Sequence, residues 1–220
     1  MSDAVLRAEG ILRAACGDRV RTRFPMAPLT TFRIGGAAAL YVEVESERDL
    51  VAAGRAVADT DLPALVVGKG SNILVSDAGF GGLVLRLGKS YRWAARDGTR
   101  VTAGGAMPLP ALAGIALRHE LAGLEFGVAI PASLGGAVRM NAGAHDREIA
   151  DVAERVEVFR LRSGASSALR ADEAGFGYRT SGLPEDAVVT AATLALRPGE
   201  HDAIRAEMDA AREWRRRTQP

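Results

Sequence analysis

ALVVGKGSNILVSD, residues 64–77, sets an apolar strand directly against a loop of small and polar residues. Ala64 to Val67 are apolar and partly β-branched, the pattern of a short buried strand. Gly68-Lys69-Gly70-Ser71-Asn72 follows at once. Two glycines one residue apart let consecutive backbone N–H groups converge on an anion, and Lys69, Ser71 and Asn72 add further donors. Such a loop suits a phosphate or pyrophosphate. It is not a Walker A loop, which needs four spacer residues before Gly-Lys and a Ser or Thr after it, nor the dinucleotide fingerprint, which needs Gly where Ile73 stands. ILVSD (73–77) reads as a further strand, so no helix N-terminus is aimed at the ligand. A plain glycine turn between two strands is the competing reading of these five residues. Lys69 weighs for the loop, because it and Lys89 are the only lysines beside 26 arginines.

On the N-terminal side, YVEV (41–44) reads as a strand, and Ser46 with Asp49 as a helix cap before the stripe Leu50, Val51, Gly54, Val57, Ala58. Strand, helix and the 64–67 strand form a β-helix-β unit, expected to be a parallel pair with a crossover helix. GLVLRL (82–87) continues the sheet. Further out, Val5, Ala8, Leu12 and Ala15 fall at helical spacing, with Gly17 as the stop. Pro25, Pro28 and Gly35-Gly36 bracket TTFRI, expected to be an ordered loop and strand.

On the C-terminal side, RVTAGGA (100–106) begins another region. A helix is expected from Leu109, Leu112, Ile115 and Ala116, ending near Gly123. The stretch 127–143 is Gly-rich and weakly periodic. VEVF (156–159) and AVVTAATLAL (187–196) read as strands, the second alternating Val188, Thr190, Ala192, Leu194, Leu196. Ile204, Met208, Ala211 and Trp214 lie on one face of a last helix that runs into Arg215-Arg216-Arg217 and Pro220. The fold class is α+β, without internal repeats.

Composition removes several function classes. Net charge is +1 with acids and bases intermixed, and aromatics are 5%. Neither a long-range positive field nor stacking platforms for nucleic acid are present, so no nucleic-acid partner is expected. The single cysteine, Cys16, cannot form an intrachain disulfide and reads as a small buried apolar residue. No apolar run approaches a membrane span and no secretory leader is seen, so a cytoplasmic protein without a membrane partner is expected. His119, His145 and His201 are scattered, none at metal-ligand spacing, and no metal site is expected.

Two other stretches have the chemistry of sites. Ile130-Pro131-Ala132-Ser133-Leu134-Gly135-Gly136-Ala137, followed by Met140-Asn141-Ala142-Gly143, is small at nearly every position. A flat, extended ligand can approach such a surface at backbone distance, and tight-turn packing is the equal alternative. Together with the 68–72 loop it suggests a long ligand with a phosphate part and a planar part. Gly177-Tyr178-Arg179-Thr180-Ser181 lies between two strands. A guanidinium there can hold a carboxylate or stabilise developing negative charge.

In this order, TTFRIGG (30–36), VVGKGSNILVSDAGFGGLVL (66–85), AGLEFGVAIPASLGGAVRMNAGA (122–144), FGYRTS (176–181) and RRRTQP (215–220) resemble the UDP-N-acetylenolpyruvoylglucosamine reductases. These are flavoproteins with a vanillyl-alcohol-oxidase (PCMH) type of FAD-binding fold made of two α+β subdomains. The resemblance implies an N-terminal helix over 1–23, FAD-binding subdomains over 24–88 and 89–199, and over 200–220 a helix leading to a substrate domain that the chain lacks. It implies FAD with its pyrophosphate on Gly68, Lys69, Gly70, Ser71 and Asn72, and with Ile130, Pro131, Ser133, Gly135, Gly136, Asn141 and Gly143 along the rest of the cofactor. NADPH would be the electron donor and UDP-N-acetylglucosamine enolpyruvate the substrate. Arg179 matches the family's catalytic arginine, and Tyr178 would flank the substrate. The proton donors, a serine and a glutamate, would lie in the third domain, so full turnover is expected to need it. A flavin oxidase of the same superfamily and a non-catalytic FAD-binding module are the alternatives. The family's usual Gly is replaced by Ala129 and Ala132, and its usual Tyr-Gly by His145-Asp146.

Overall fold

The computed structural model describes residues 2–218. Gln219 and Pro220, on which the expectation of a missing domain rests, lie outside the described residues. By contact the chain divides into two compact units, residues 1–90 with 158–167 and 184–188, and residues 91–157 with 168–183 and 189–220.

In the first unit, α1 (Asp3–Cys16) starts at Ser2, whose hydroxyl accepts from the Val5 amide, and ends where the Gly17 amide bonds the Arg13 carbonyl. It buries Val5, Ala8, Leu12 and Cys16, so the stripe continues to Cys16 rather than Ala15, the spacing of an α-helix followed for one more turn. β1 (Val20–Pro25) and β2 (Ala37–Val44) pair antiparallel. The Ser46 hydroxyl accepts the Asp49 amide at the start of α2 (Glu47–Thr60), the expected cap. That helix turns Ala52, Ala53, Ala56 and Val57 inward, while Val51 and Ala58, expected in its stripe, are exposed. Gly54 rides close on the Leu161 carbonyl, 2.6 Å from where a methyl would stand, so this position of the helix has no room for a side chain. β3 (Ala64–Val66) and β4 (Phe80–Leu87) complete a sheet of order β1-β2-β4-β3, with β2-β4 and β3-β4 both parallel. The expected β-helix-β unit therefore forms, but its two strands do not pair directly: the longer β4 inserts between them. Its core is Met26, Ala38, Tyr41, Val67 and Val84, with Phe24 stacked on Tyr41 at 4.1 Å.

Two expected strands are absent. TTFRI and ILVSD are both irregular, lying against each other through the Gly36 amide and the Ser76 carbonyl at 2.9 Å. Leu74 and Phe32 are solvent-exposed, so β-prone composition had no sheet face on which to act.

After residue 90 the chain carries β5 (Ala94–Asp97), β6 (Arg100–Gly104), α3 (Leu109–Arg118), β7 (Leu121–Ala122), α4 (Leu134–Arg139), β8 (Gly143–Ala144), β9 (Arg147–Glu148), β10 (Ala153–Arg160), β11 (Ser166–Arg170), β12 (Ala187–Ala195), β13 (Arg197–Pro198) and α5 (His201–Thr218), of which β10, β11 and β12 have residues in both units. The main sheet has the order β11-β10-β12-β6-β5, and β12 runs antiparallel to β6 with Thr102 and Thr193 bonded across it at 2.9 Å. Val189 and Ala191 are as buried as Val188 and Ala192, so β12 is covered on both faces rather than alternating. α5 buries Ile204, Met208 and Ala211, whereas Trp214 stays about half exposed, edge-on to His145 at 5.0 Å. Among the described residues no helix is long and apolar enough to cross a membrane.

Candidate functional site

The first unit presents the 68–72 loop. β3 ends at Val66, and the Val67 amide still reaches the Leu85 carbonyl at 2.9 Å, so the loop leaves from the paired edge of the sheet. Gly70 adopts φ +65°. A methyl there would stand 2.8 Å from the Leu29 carbonyl carbon and closer still to its oxygen, so only glycine lets this backbone lie on the 29–31 segment. The contact is closed by the Thr31 amide, which donates to the Gly70 carbonyl at 3.1 Å. The amides of Gly68, Lys69, Gly70 and Ser71 donate to no group among the described residues, and Lys69 is exposed. Consecutive backbone donors next to a flexible cation are the arrangement that receives an anion.

The second unit carries the other two segments. The 130–143 stretch contains a short helix that composition alone did not reveal: the Ser133 hydroxyl accepts the Gly136 amide and caps α4. The first amides of α4 are used inside the protein. Leu134 N–H donates to the Met107 carbonyl at 2.8 Å, and Gly135 N–H to the Gly105 carbonyl at 2.9 Å. A methyl on Gly135 would lie 3.1 Å from both the Gly105 and the Val189 carbonyls, so this glycine serves close packing. Gly143 does the same at the β8-β9 hairpin, where a Cβ would come 2.5 Å from the Arg147 carbonyl. Gly136, Ile130 and Pro131 remain accessible to solvent, Pro131 the most. The hairpin turns on His145 and Asp146, both in the left-handed region at φ +55° and +59°. Two such residues make a type I′ turn, which explains why glycine is the natural occupant of the second position.

Tyr178 and Arg179 form the tip of a second tight turn. Gly177 and Thr180 exchange both backbone hydrogen bonds, at 3.1 and 3.2 Å. Arg179 takes φ +56°, uncommon for a residue other than glycine, and Tyr178 is 91% exposed. The turn is fastened from below. Asn141, only 1% exposed, donates from Nδ2 to the Gly177 carbonyl at 3.1 Å, and its Oδ1 accepts the Ala150 amide at 2.9 Å. The Ser181 hydroxyl donates to the Arg139 carbonyl at 2.8 Å, and Arg139 in turn donates to the Leu183 carbonyl at 2.8 Å. The structure thus brings Asn141 and the Tyr178-Arg179 turn together. The tethering roles of Arg139 and Ser181, which hold the turn, were not legible in the sequence because no local pattern marks a tether made across some 40 residues.

Away from these segments, Arg19 and Asp49 form a bidentate ion pair, one bond of which is 3.0 Å, and the Glu45 amide also donates to Asp49 at 2.7 Å. Burial works against the Asp49 charge, but Arg19 and the amide hold its carboxyl below the ordinary 3.8. Burial, reinforced by Asp49, pushes the Cys16 thiol up to about 11.

Residues 38–166 match the FAD binding domain family. The chain is similar to the UDP-N-acetylenolpyruvoylglucosamine reductase of Anaeromyxobacter sp. (strain Fw109-5), 42% identical over 99% of this chain and 67% of the relative. It is 40% identical to the reductase of the same name from Methylorubrum populi, over 95% of this chain and 68% of that protein. Among solved structures, UDP-N-acetylenolpyruvylglucosamine reductase from Thermus caldophilus superposes with a TM-score of 0.80 at 37% identity, covering 92% of this chain and 71% of that one. The chain thus spans about two thirds of the length of these relatives.

Proposed function

The chain belongs to the UDP-N-acetylenolpyruvoylglucosamine reductase family, and on that footing we propose that it works in the reduction of UDP-N-acetylglucosamine enolpyruvate to UDP-N-acetylmuramate, with FAD as cofactor and NADPH as electron donor, in the cytoplasm. The product is a precursor of peptidoglycan. When bound, FAD supplies the redox step, taking a hydride from the nicotinamide and delivering it to the enolpyruvyl double bond.

The observation that carries the reading is the exposed Arg179, held in a left-handed turn whose carbonyl is tied to a buried side chain. Hydride addition to the double bond builds negative charge beside the substrate carboxylate. A guanidinium fixed there binds the carboxylate bidentately and stabilises that charge as it forms, without having to reorganise. Strain at such a turn persists only where the surroundings over-determine it, and functional sites are where it concentrates. Tyr178, beside it and exposed, offers a ring and a hydroxyl to the substrate.

For the cofactor, the donor set of the 68–72 loop fits a pyrophosphate: the amides of Gly68 to Ser71 have no partner among the described residues, and Lys69 adds a charge. In the second unit, Ile130, Pro131, Ser133, Gly135, Gly136 and Gly143 supply the small-residue surface for the rest of the cofactor, with Ser133 and Gly135 acting through the packing of α4. Asn141 has its carboxamide engaged within the protein.

The test has two readouts. Purified protein is expected to release about one equivalent of FAD on denaturation, and the bound flavin spectrum is expected to shift when the enolpyruvyl sugar is added. Arg179→Ala should retain flavin but lose the spectral response, and, in protein assayed together with the third domain, lower sugar-dependent NADPH oxidation by roughly 10²- to 10³-fold, as for loss of one transition-state donor. Flavin-free protein, or an Arg179→Ala variant with an unchanged response, would overturn the proposal.

A further inference from the structure

We propose that Asn141 is the positioning residue of the reductase site, acting through the Tyr178-Arg179 turn; this rests on the role of Arg179 put forward above. Three observations converge on that assignment. The first is conformational. Asn141 follows α4 at φ +40°, with its amide on the Val138 carbonyl at 3.2 Å, a left-handed position that asparagine tolerates and most other residues do not.

The second is the use of both ends of one buried carboxamide. Nδ2 reaches the Gly177 carbonyl, the residue that opens the turn, and Oδ1 takes the amide of Ala150 in the segment after β9. Glycine would satisfy the backbone but tie nothing. Aspartate would keep the contact to Ala150 and present an oxygen to the Gly177 carbonyl, turning attraction into repulsion. The third is that the turn itself is short: two residues between a pair of mutually bonded ones, so a shift of Gly177 is transmitted to the Arg179 backbone with little slack. The Ser181 hydroxyl on the Arg139 carbonyl fixes the opposite arm, so the arms hang from the last residue of α4 and from Asn141, two residues beyond it.

A residue in this position does not touch the substrate. It sets where the guanidinium stands, and misplacement of a catalytic group by about 1 Å costs up to roughly 100-fold. In protein that includes the third domain, Asn141→Asp is therefore expected to keep its full complement of FAD, to lose thermal stability as a buried hydrogen bond becomes a repulsion, and to lower kcat by roughly 10- to 100-fold with a smaller change in KM. In an Arg179→Ala background the same substitution should have no further effect on turnover. Ser181→Ala should act in the same direction and more weakly.

Hydrogen exchange, followed by mass spectrometry on peptides covering residues 174–183, reads the tether without any activity: Asn141→Asp should speed exchange at Thr180, and Asn141→Gly, which keeps the backbone conformation, should do likewise. Unchanged exchange in both variants would refute the tether. Faster exchange with wild-type turnover, or an equal loss with and without Arg179, would refute the positioning role. Should Asn141→Asp fail to fold, Asn141→Gly and Ser181→Ala decide the question by the same criteria. If wild-type protein shows neither bound flavin nor, together with the third domain, sugar-dependent oxidation of NADPH, the function proposed above fails, while the exchange result still stands.

Discussion

Replacing Gly70 by alanine strikes the loop proposed to take the pyrophosphate, and its cost can be worked from the structure. A left-handed backbone at φ +65° costs an L-residue about 1–2 kcal/mol. The new methyl would overlap the Leu29 carbonyl oxygen and stand 3.0 Å from the Thr30 Cα, backbone atoms that cannot swing aside as a flexible side chain would. Moving them breaks the Thr31 N–H bond to the Gly70 carbonyl, worth about 0.5–1.5 kcal/mol net. Together these come to about 1.5–3.5 kcal/mol. If the loop relaxes out of its anion-receiving conformation, that energy is lost from FAD affinity, a weakening of roughly 12- to 300-fold. Quenching of FAD fluorescence on titration with apoprotein measures it, alongside the melting temperature. Gly81→Ala is the control, since a methyl there meets nothing within 4 Å and should change neither quantity. Wild-type FAD affinity and melting in Gly70→Ala would refute the reasoning, and an equal effect of Gly81→Ala would show that the loss is not specific to the loop.

Asp49→Ala should destabilise the protein by about 2–3 kcal/mol, less than for a fully buried pair because Arg19 keeps part of its solvent, and urea unfolding at pH 7 checks it. Asp49, Glu45 and Asp186 all sit below their ordinary carboxylate values, Glu45 through the Ser90 and Lys89 amides and Asp186 through the Arg162 amide and Arg160, in each case against burial. Depressed acids stabilise the fold above their unfolded values and lose that contribution as pH falls. Unfolding midpoints should therefore hold steady down to about pH 5 and drop increasingly below the ordinary 3.8 to 4.5, with a shallower drop in Asp49→Ala. Cys16, buried and with its thiol near 11, should resist thiol reagents in the native protein at pH 8 and react on addition of denaturant. Asp146→Gly should stabilise by about 0.5–1 kcal/mol by relieving the second left-handed position of the β8-β9 turn, and a melting temperature below wild type would contradict that.

Much was legible along the chain because its signals are local. The Ser46 cap of α2, the core face of α1 and the strands around 41–44, 64–67, 82–87 and 156–159 each rest on residues within one turn or one strand of each other. The five ordered segments that resemble the reductases are likewise linear, and the relatives bear out the family that they imply. TTFRI and ILVSD show the limit of that locality: β-prone residues form no strand when no sheet edge lies beside them. In the same way β4 entered between the two strands of the β-helix-β unit, and β12 was covered on both faces, since pairing and burial are decided by partners far away in sequence.

Asn141 states the division most plainly. By itself the sequence determined that this position bears an asparagine in a run of small residues, and from that a contact with cofactor was the natural reading. Only the tertiary structure turned its carboxamide inward, to a carbonyl 36 residues away that carries the Arg179 turn. A hydrogen bond is specified by distance and angle in space, and the chain order that determines a cap or a strand contains neither.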